Sequence, residues 1–249
     1  MSIQIIPKES QAKGQFNGGA ILENKPIGFP GDGGSIRPYS NLFYWAHAWS
    51  DNGSLIGEHP HKGFEIMSFV LKGTIDHYDS KYKAWKKLKA GDAQIIRAGN
   101  GITHAERLNA GSHIFQIWVD PNLNQSLSQP ASYNDYPSED FPVIEKNGFT
   151  TKVYHGLNAP MTMETQGLEI KEISIRAGTH QLDLIKGSIS SLYLIEGELS
   201  INGEGMLRDS FAIIKDEQQI EIVAETDVRL FVISSLEQVP YTTYAQMRA

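Results

Sequence analysis

Four residues of this chain have the types and spacing of a metal centre. His59 and His61 flank Pro60 in GEHPHKGFE (57–65), and His104 and Glu106 lie two apart in AGNGITHAER (98–107). Residues two apart on a strand face the same side, so each pair can converge on one point. Pro60 has no N–H to give to a ladder, which places its segment at the start of a strand or on a sheet edge. Two such pairs on neighbouring strands supply three imidazoles and one carboxylate. Imidazole suits iron, nickel, copper and zinc, and the carboxylate adds a hard oxygen donor. The chain has no cysteine, and mixed nitrogen–oxygen ligation without sulfur fits an open catalytic site better than a closed structural one. Three neutral imidazoles and one carboxylate leave a divalent ion at net +1. Such a site accommodates a monoanionic oxygen ligand, for example an enolate or phenolate. A single H-x-H pair is a weak signal; two ligand-type pairs beside glycine turns are a stronger one.

Strands must position these residues. NLFYWAHAW, EIMSFVLKGTIDHY, DAQIIRAG and HIFQIWVD read as strands separated by glycine-led turns at Gly53, Gly91 and Gly111. KYKAWKKLK (81–89) reads as a strand or turn with a solvated face. The Ser-, Asn- and Pro-rich stretch 122–142 reads as a linker with one helical turn near LNQSLS. Strands resume with TTKVYHG and continue to VRLFVISS. Short, regularly spaced strands indicate a sandwich or barrel.

The chain also echoes itself. FVLKGTI (69–75) matches YLIEGEL (193–199) class by class, and GDAQIIRAG pairs loosely with RDSFAIIKDE. Two related β-domains explain both matches. The expected division is a metal-binding barrel over 1–125, a linker over 126–148, and a metal-free barrel with tail over 149–249. Anchoring the echo on Gly73 and Gly197 sets Asp183 and Ile185 opposite His59 and His61. Anchoring on Arg97 and Lys215 sets Ile222 and Ala224 opposite His104 and Glu106. With no histidine after His180, the second barrel cannot gather three imidazoles.

Composition narrows the partners. The chain has 249 residues and a net charge of −7, which together with the absence of a basic helix argues against direct nucleic-acid contact. No apolar run approaches the roughly 20 residues that span a bilayer, and MSIQIIPKES lacks the features of a signal peptide. A cysteine-free, soluble, cytoplasmic protein is the expectation.

The spacing of Gly53, His59, His61, Glu65 and Gly73 resembles the first cupin motif. GDAQIIRAGNGITHAE resembles the second, with Arg97 where a proline is usual. More narrowly, HPHKGFE, GTIDHYDS and AGNGITHAE, in that order, resemble the pirin-like members, while FPGDGGSIRPYS departs from their pattern. The resemblance implies an all-β bicupin, two packed antiparallel β-barrel (jelly-roll) domains with metal in the first. It implies metal ligation by His59, His61, His104 and Glu106. The metal is expected to be one divalent transition-metal ion, iron first, with nickel, cobalt, copper, manganese or zinc as alternatives. It implies a quercetinase-type dioxygenase acting on a flavonol-like aromatic with dioxygen. The alternatives are a non-enzymatic pirin-like regulator with a protein partner, and a cupin isomerase or hydrolase needing no oxygen.

General cupins place a ligand glutamate six residues before the strand glycine. Here seven residues separate Glu65 from Gly73, so Glu65 is expected to face away from the metal. Glu106 is then the expected ligand and general base. His77 is expected behind the ligands or in strand pairing. Phe43, Trp45, His47 and Trp49 share one face, which is either a pocket wall or, more commonly, core. Sequence alone assigns no pocket to Gln116 or Trp118.

Overall fold

Alternating polarity broken by glycine turns yields antiparallel strands almost throughout. The computed structural model describes residues 2–247. In chain order the strands are β1 (Ser2–Ile6), β2 (Ala12–Phe16), β3 (Ile21–Ile27), β4 (Leu42–Ser50), β5 (Ser54–His61), β6 (Glu65–Lys72), β7 (Thr74–Asp79), β8 (Lys86–Lys89), β9 (Ala93–Arg97), β10 (Ile102–Leu108), β11 (Ser112–Val119), β12 (Ser132–Tyr136), β13 (Val143–Lys146), β14 (Phe149–His155), β15 (Glu169–Ile175), β16 (Gly178–Asp183), β17 (Ser188–Glu196), β18 (Leu199–Ile201), β19 (Glu204–Met206), β20 (Phe211–Lys215), β21 (Gln219–Ala224) and β22 (Val228–Leu236). Among the described residues the two single-turn α-helices are α1 (Leu123–Ser126), where LNQSLS is expected to turn, and α2 (Tyr244–Met247). No helix among the described residues is long and apolar enough to cross a membrane.

The fold is that of a bicupin, with two compact units. The first comprises Gln11–Asp140, Met163–Gln166 and Val239–Ala249; the second comprises Met1–Ser10, Phe141–Thr162 and Gly167–Gln238. The expected linker, 126–148, contains β12 and β13.

Each unit is built from a seven-stranded and a four-stranded antiparallel sheet. In the first unit the orders are β12-β9-β6-β11-β4-β3-β2 and β5-β10-β7-β8. In the second they are β1-β20-β17-β22-β15-β14-β13 and β16-β21-β18-β19. The two pairs of orders match position for position, as the internal echo implies. Gly73 (φ +73°) and Gly197 (φ +82°) make the equivalent turn. A Cβ on Gly73 would lie 2.6 Å from Ser112 Oγ, and one on Gly197 2.6 Å from Val228 Cγ1. Left-handed backbone and close approach together require glycine at both.

Ladder register replaces the sequence anchors with an equivalence between units. Ile75 and Leu199 each lie two residues past the shared glycine, and they pair with Leu108 and Ala224. His104 therefore corresponds to Ile220, Glu106 to Ile222 and His77 to Ile201. His59 pairs with His104 as Leu182 pairs with Ile220, so His59 and His61 correspond to Leu182 and Leu184. The anchors missed by one or two residues because the turns between these strands differ in length. Leu182, Ile201, Ile220 and Ile222 all lie in one apolar core cluster, with Leu184 packed against it. Metal titration of the purified protein should accordingly saturate at one ion per chain.

Glu65, on β6, is fully buried. Its Oε1 accepts the Glu164 N–H at 2.8 Å, and its Oε2 accepts the Thr165 N–H at 2.8 Å and the Thr165 hydroxyl at 2.5 Å. Arg97 Nε lies 3.7 Å away. Burial pushes this carboxyl up, while the bonds from Thr165 and Glu164 and the charge of Arg97 pull it down. One buried carboxylate thus stitches Met163–Gln166 into the first unit. Glu65→Ala strands three donors and should cost about 2–4 kcal/mol in urea unfolding.

Candidate metal centre

The edge position of β5 explains how H-P-H is tolerated. β5 is outermost in its sheet and pairs only with β10, so the missing N–H of Pro60 breaks no second ladder. His104 lies opposite His59, yet Glu106 lies opposite Ile56. Two residues of β5, Gly57 and Glu58, therefore lie opposite one of β10, Ala105, which is a β-bulge. The equivalent pairing of β21 with β16 is regular. A bulge adds local twist and re-aims the side chains beside it; here it falls immediately before His59.

The outcome is convergence. His104 Nε2 lies 2.9 Å from His61 Nε2 and 2.9 Å from His59 Nε2. Ligating atoms of the three residues all lie within 4.8 Å of one another. His59 Nδ1 is 2.8 Å from the Gly57 carbonyl oxygen. A carbonyl only accepts, so Nδ1 carries the proton and Nε2 keeps its lone pair. Two nitrogens held about 2.1 Å from one ion at right angles stand about 3 Å apart. The separations found therefore fit a divalent cation, and the donor set matches one.

Glu106 shares the inward face of β10 with His104 and is 1% exposed. It stands outside the tight group of three among the described residues. Its Oε1 accepts from Ser68 Oγ at 3.2 Å and its Oε2 from Gln116 Nε2 at 2.5 Å. Trp118 Nε1 in turn donates to Gln116 Oε1 at 3.3 Å. The indole thereby fixes which end of the amide faces the carboxylate. Glu65, spent on Glu164 and Thr165, is not part of this cluster.

Burial dominates the electrostatics. His61 is pushed down to about 3 by desolvation, then by the neighbouring His104 and His59. His104 falls well below the ordinary imidazole value for the same reason, with His59 and His77 adding to it. At neutral pH these rings bring no proton that an ion would have to displace.

An aromatic wall adjoins the three rings. His61 lies 5.1 Å from Trp118 and 5.4 Å from Phe64, which stack on each other at 5.1 Å. Tyr44 packs on Trp118 at 4.5 Å and donates its hydroxyl to Glu23 at 3.1 Å. The expected stripe on β4 is divided. Trp45 packs in the core against Phe115, whereas Phe43 packs on Phe64 and lies 6.1 Å from Trp118, which Tyr44 also meets, at 4.5 Å. A cavity of about 660 Å³ opens beside His61, with Phe64, Lys62, Ile102 and Thr103 among its lining. That volume lies in the range of small-ligand sites. Sequence reading missed Gln116, Trp118, Tyr44 and Phe64. The available signal was Gln116 itself, a polar residue on the same face of β11 as Ile114 and Trp118.

Comparison with known proteins points the same way. A family model named Pirin matches residues 39–119. A Pseudomonas aeruginosa protein provisionally named a quercetin 2,3-dioxygenase is 30% identical over 195 residues, covering 74% of this chain and 81% of that protein. Pirin-1 of Arabidopsis thaliana is 30% identical over 156 residues, 59% of this chain but only 52% of that protein. A nickel(II)-bound bacterial pirin from Escherichia coli has the same fold, with a TM-score of 0.79 at 21% identity over 95% of this chain and 100% of that one.

The depressed imidazoles set a pH dependence. The unfolded chain takes up protons on these rings near pH 6.5, while the folded, metal-free protein keeps His61 neutral down to about 3. Stability is therefore fully present above pH 6.5 and is lost as pH falls toward 3. Urea midpoints of the chelated protein should drop between pH 7 and pH 5, and His61→Leu should shrink that drop.

Proposed function

The chain belongs to the pirin family of cupin proteins, and on that premise we propose that it is a metal-dependent dioxygenase that opens the ring of a flavonol such as quercetin. The observation that carries this reading is the convergence of three Nε2 atoms beside an aromatic wall and a ligand-sized cavity. His59, His61 and His104, with Glu106 on the same face, would hold one divalent transition-metal ion. The nickel(II) of the Escherichia coli pirin supports that class of ion; iron remains the first candidate, and the donor set accepts several others. When bound, the ion supplies a net positive, Lewis-acidic seat for a flavonol oxyanion.

The protein's own groups do the rest. Glu106 accepts the proton of the flavonol hydroxyl, acting as general base. Ser68 and Gln116 keep its carboxylate in place, and Trp118 keeps Gln116 in place. Phe64 and Trp118 offer flat apolar faces that align an aromatic ring beside His61 and limit water there. The quercetin dioxygenase name of the Pseudomonas relative agrees with this chemistry.

Oxygen-electrode measurements on the metal-analysed protein test the reading. Oxygen uptake on quercetin is expected, and chelation should abolish it. Glu106→Ala should lose metal and turnover together, and Gln116→Leu should weaken metal binding about 10–100-fold. A metal-loaded protein that binds flavonols without consuming oxygen would shift the assignment to the non-enzymatic, partner-binding reading.

A further inference from the structure

A second polar layer lies behind the imidazoles. Asp79 pairs across the ladder with His104, and His77 with Glu106. All four side chains are at most 1% exposed. Alternation on β7 and β10 puts them on one buried face. In that layer Asp79 Oδ2, His104 Nδ1 and both ring nitrogens of His77 have no hydrogen-bond partner within the protein. Buried polar groups in folded proteins are almost always paired, with protein or with ordered water. The His77 ring is fixed by stacking on Tyr133 at 5.0 Å and lies 5.4 Å from His104.

We infer that Asp79 is a positioning residue of the metal centre, orienting His104 through one ordered water that His77 also holds. The water accepts the Nδ1–H of His104 and donates to Asp79 Oδ2 and to a ring nitrogen of His77. Three partners is the usual complement of a buried water. With its proton fixed on Nδ1, His104 presents the lone pair of Nε2 to the ion. His59 reaches the same state through the Gly57 carbonyl. Metal-binding histidines typically have their second nitrogen held in this manner. The other unit provides an internal control. Where its ligand positions are Leu182, Leu184, Ile220 and Ile222, the position of His77 is Ile201, and β18 ends there, with no ladder partner opposite Ile220 as Asp79 is opposite His104. The polar layer is present where the imidazoles are and absent where they are not.

This inference rests on the metal reading above, and the two are tested separately. Asp79 divides its work between its oxygens, since Oδ1 already accepts the N–H groups of Lys81 and Tyr82 at 2.8 Å each. Asp79→Asn retains that turn and replaces the free acceptor with a donor. Nitrogen-15 NMR of the metal-free variant should show the His104 proton moved to Nε2. Calorimetry with Ni²⁺ should give an affinity about 10–100-fold weaker than wild type, with an unchanged urea midpoint for the metal-free protein. His77→Phe, which keeps the stack on Tyr133 and removes both nitrogens, should weaken Ni²⁺ binding several-fold. Wild-type Ni²⁺ affinity and an unmoved His104 tautomer in Asp79→Asn would overturn the inference. So would wild-type affinity in His77→Phe, for the shared water. A wild-type protein that ignores Ni²⁺ would sink the metal reading instead, and the tautomer would still decide the role of Asp79.

Discussion

Three lone pairs aimed at one point repel unless a positive charge lies between them. That constraint organises the first unit. Convergence at 2.9 Å requires lone pairs free of protons, and burial keeps the His61 and His104 rings neutral. It requires two strands at the right offset, and the bulge in β5 sets that offset. It also requires an edge strand, because Pro60 interrupts any second ladder. A carboxylate on the same face, restrained by Ser68 and Gln116, brings compensating negative charge close by.

None of this is demanded by the fold. The second unit repeats the sheet orders of the first and fills the equivalent positions with leucine and isoleucine. Its packing is the ordinary hydrophobic kind, in which burial of apolar area is sufficient. The bulge is absent there, which marks it as a feature of the site rather than of the architecture. Function in this molecule resides in a few side chains placed on a repeated scaffold.

The sequence disclosed what depends on local spacing. Pairs such as His59/His61 and His104/Glu106 are legible because alternation is local and strict. The repeat was legible because Gly73 and Gly197 are both forced by left-handed turns. Gln116 and Trp118 were not, because their role depends on β11 lying between β6 and β4, a long-range pairing without a local mark. Nor was the stripe on β4 resolved, since deciding between Phe43 and Trp45 needs the register shift at Trp118/Val119. The job of Glu65 was invisible for a similar reason: its partners lie about a hundred positions away. GTIDHYDS stood out as a motif, yet Asp79 acquires meaning only when His104 is seen opposite it.

Residues Ser2–Ile6 (β1) pair with β20 in the second unit, while Met163–Gln166 and the segment from Val239 belong with the first unit. Spatial and covalent boundaries therefore do not coincide, and no single cut releases an intact half. A fragment ending near residue 140 would leave the Glu65 carboxylate buried without Glu164 and Thr165. A fragment beginning near residue 141 would expose the edge of β20, an open template for intermolecular pairing. The chain is in that sense indivisible: although its architecture is duplicated, neither copy can be shuffled into another protein by one recombination event.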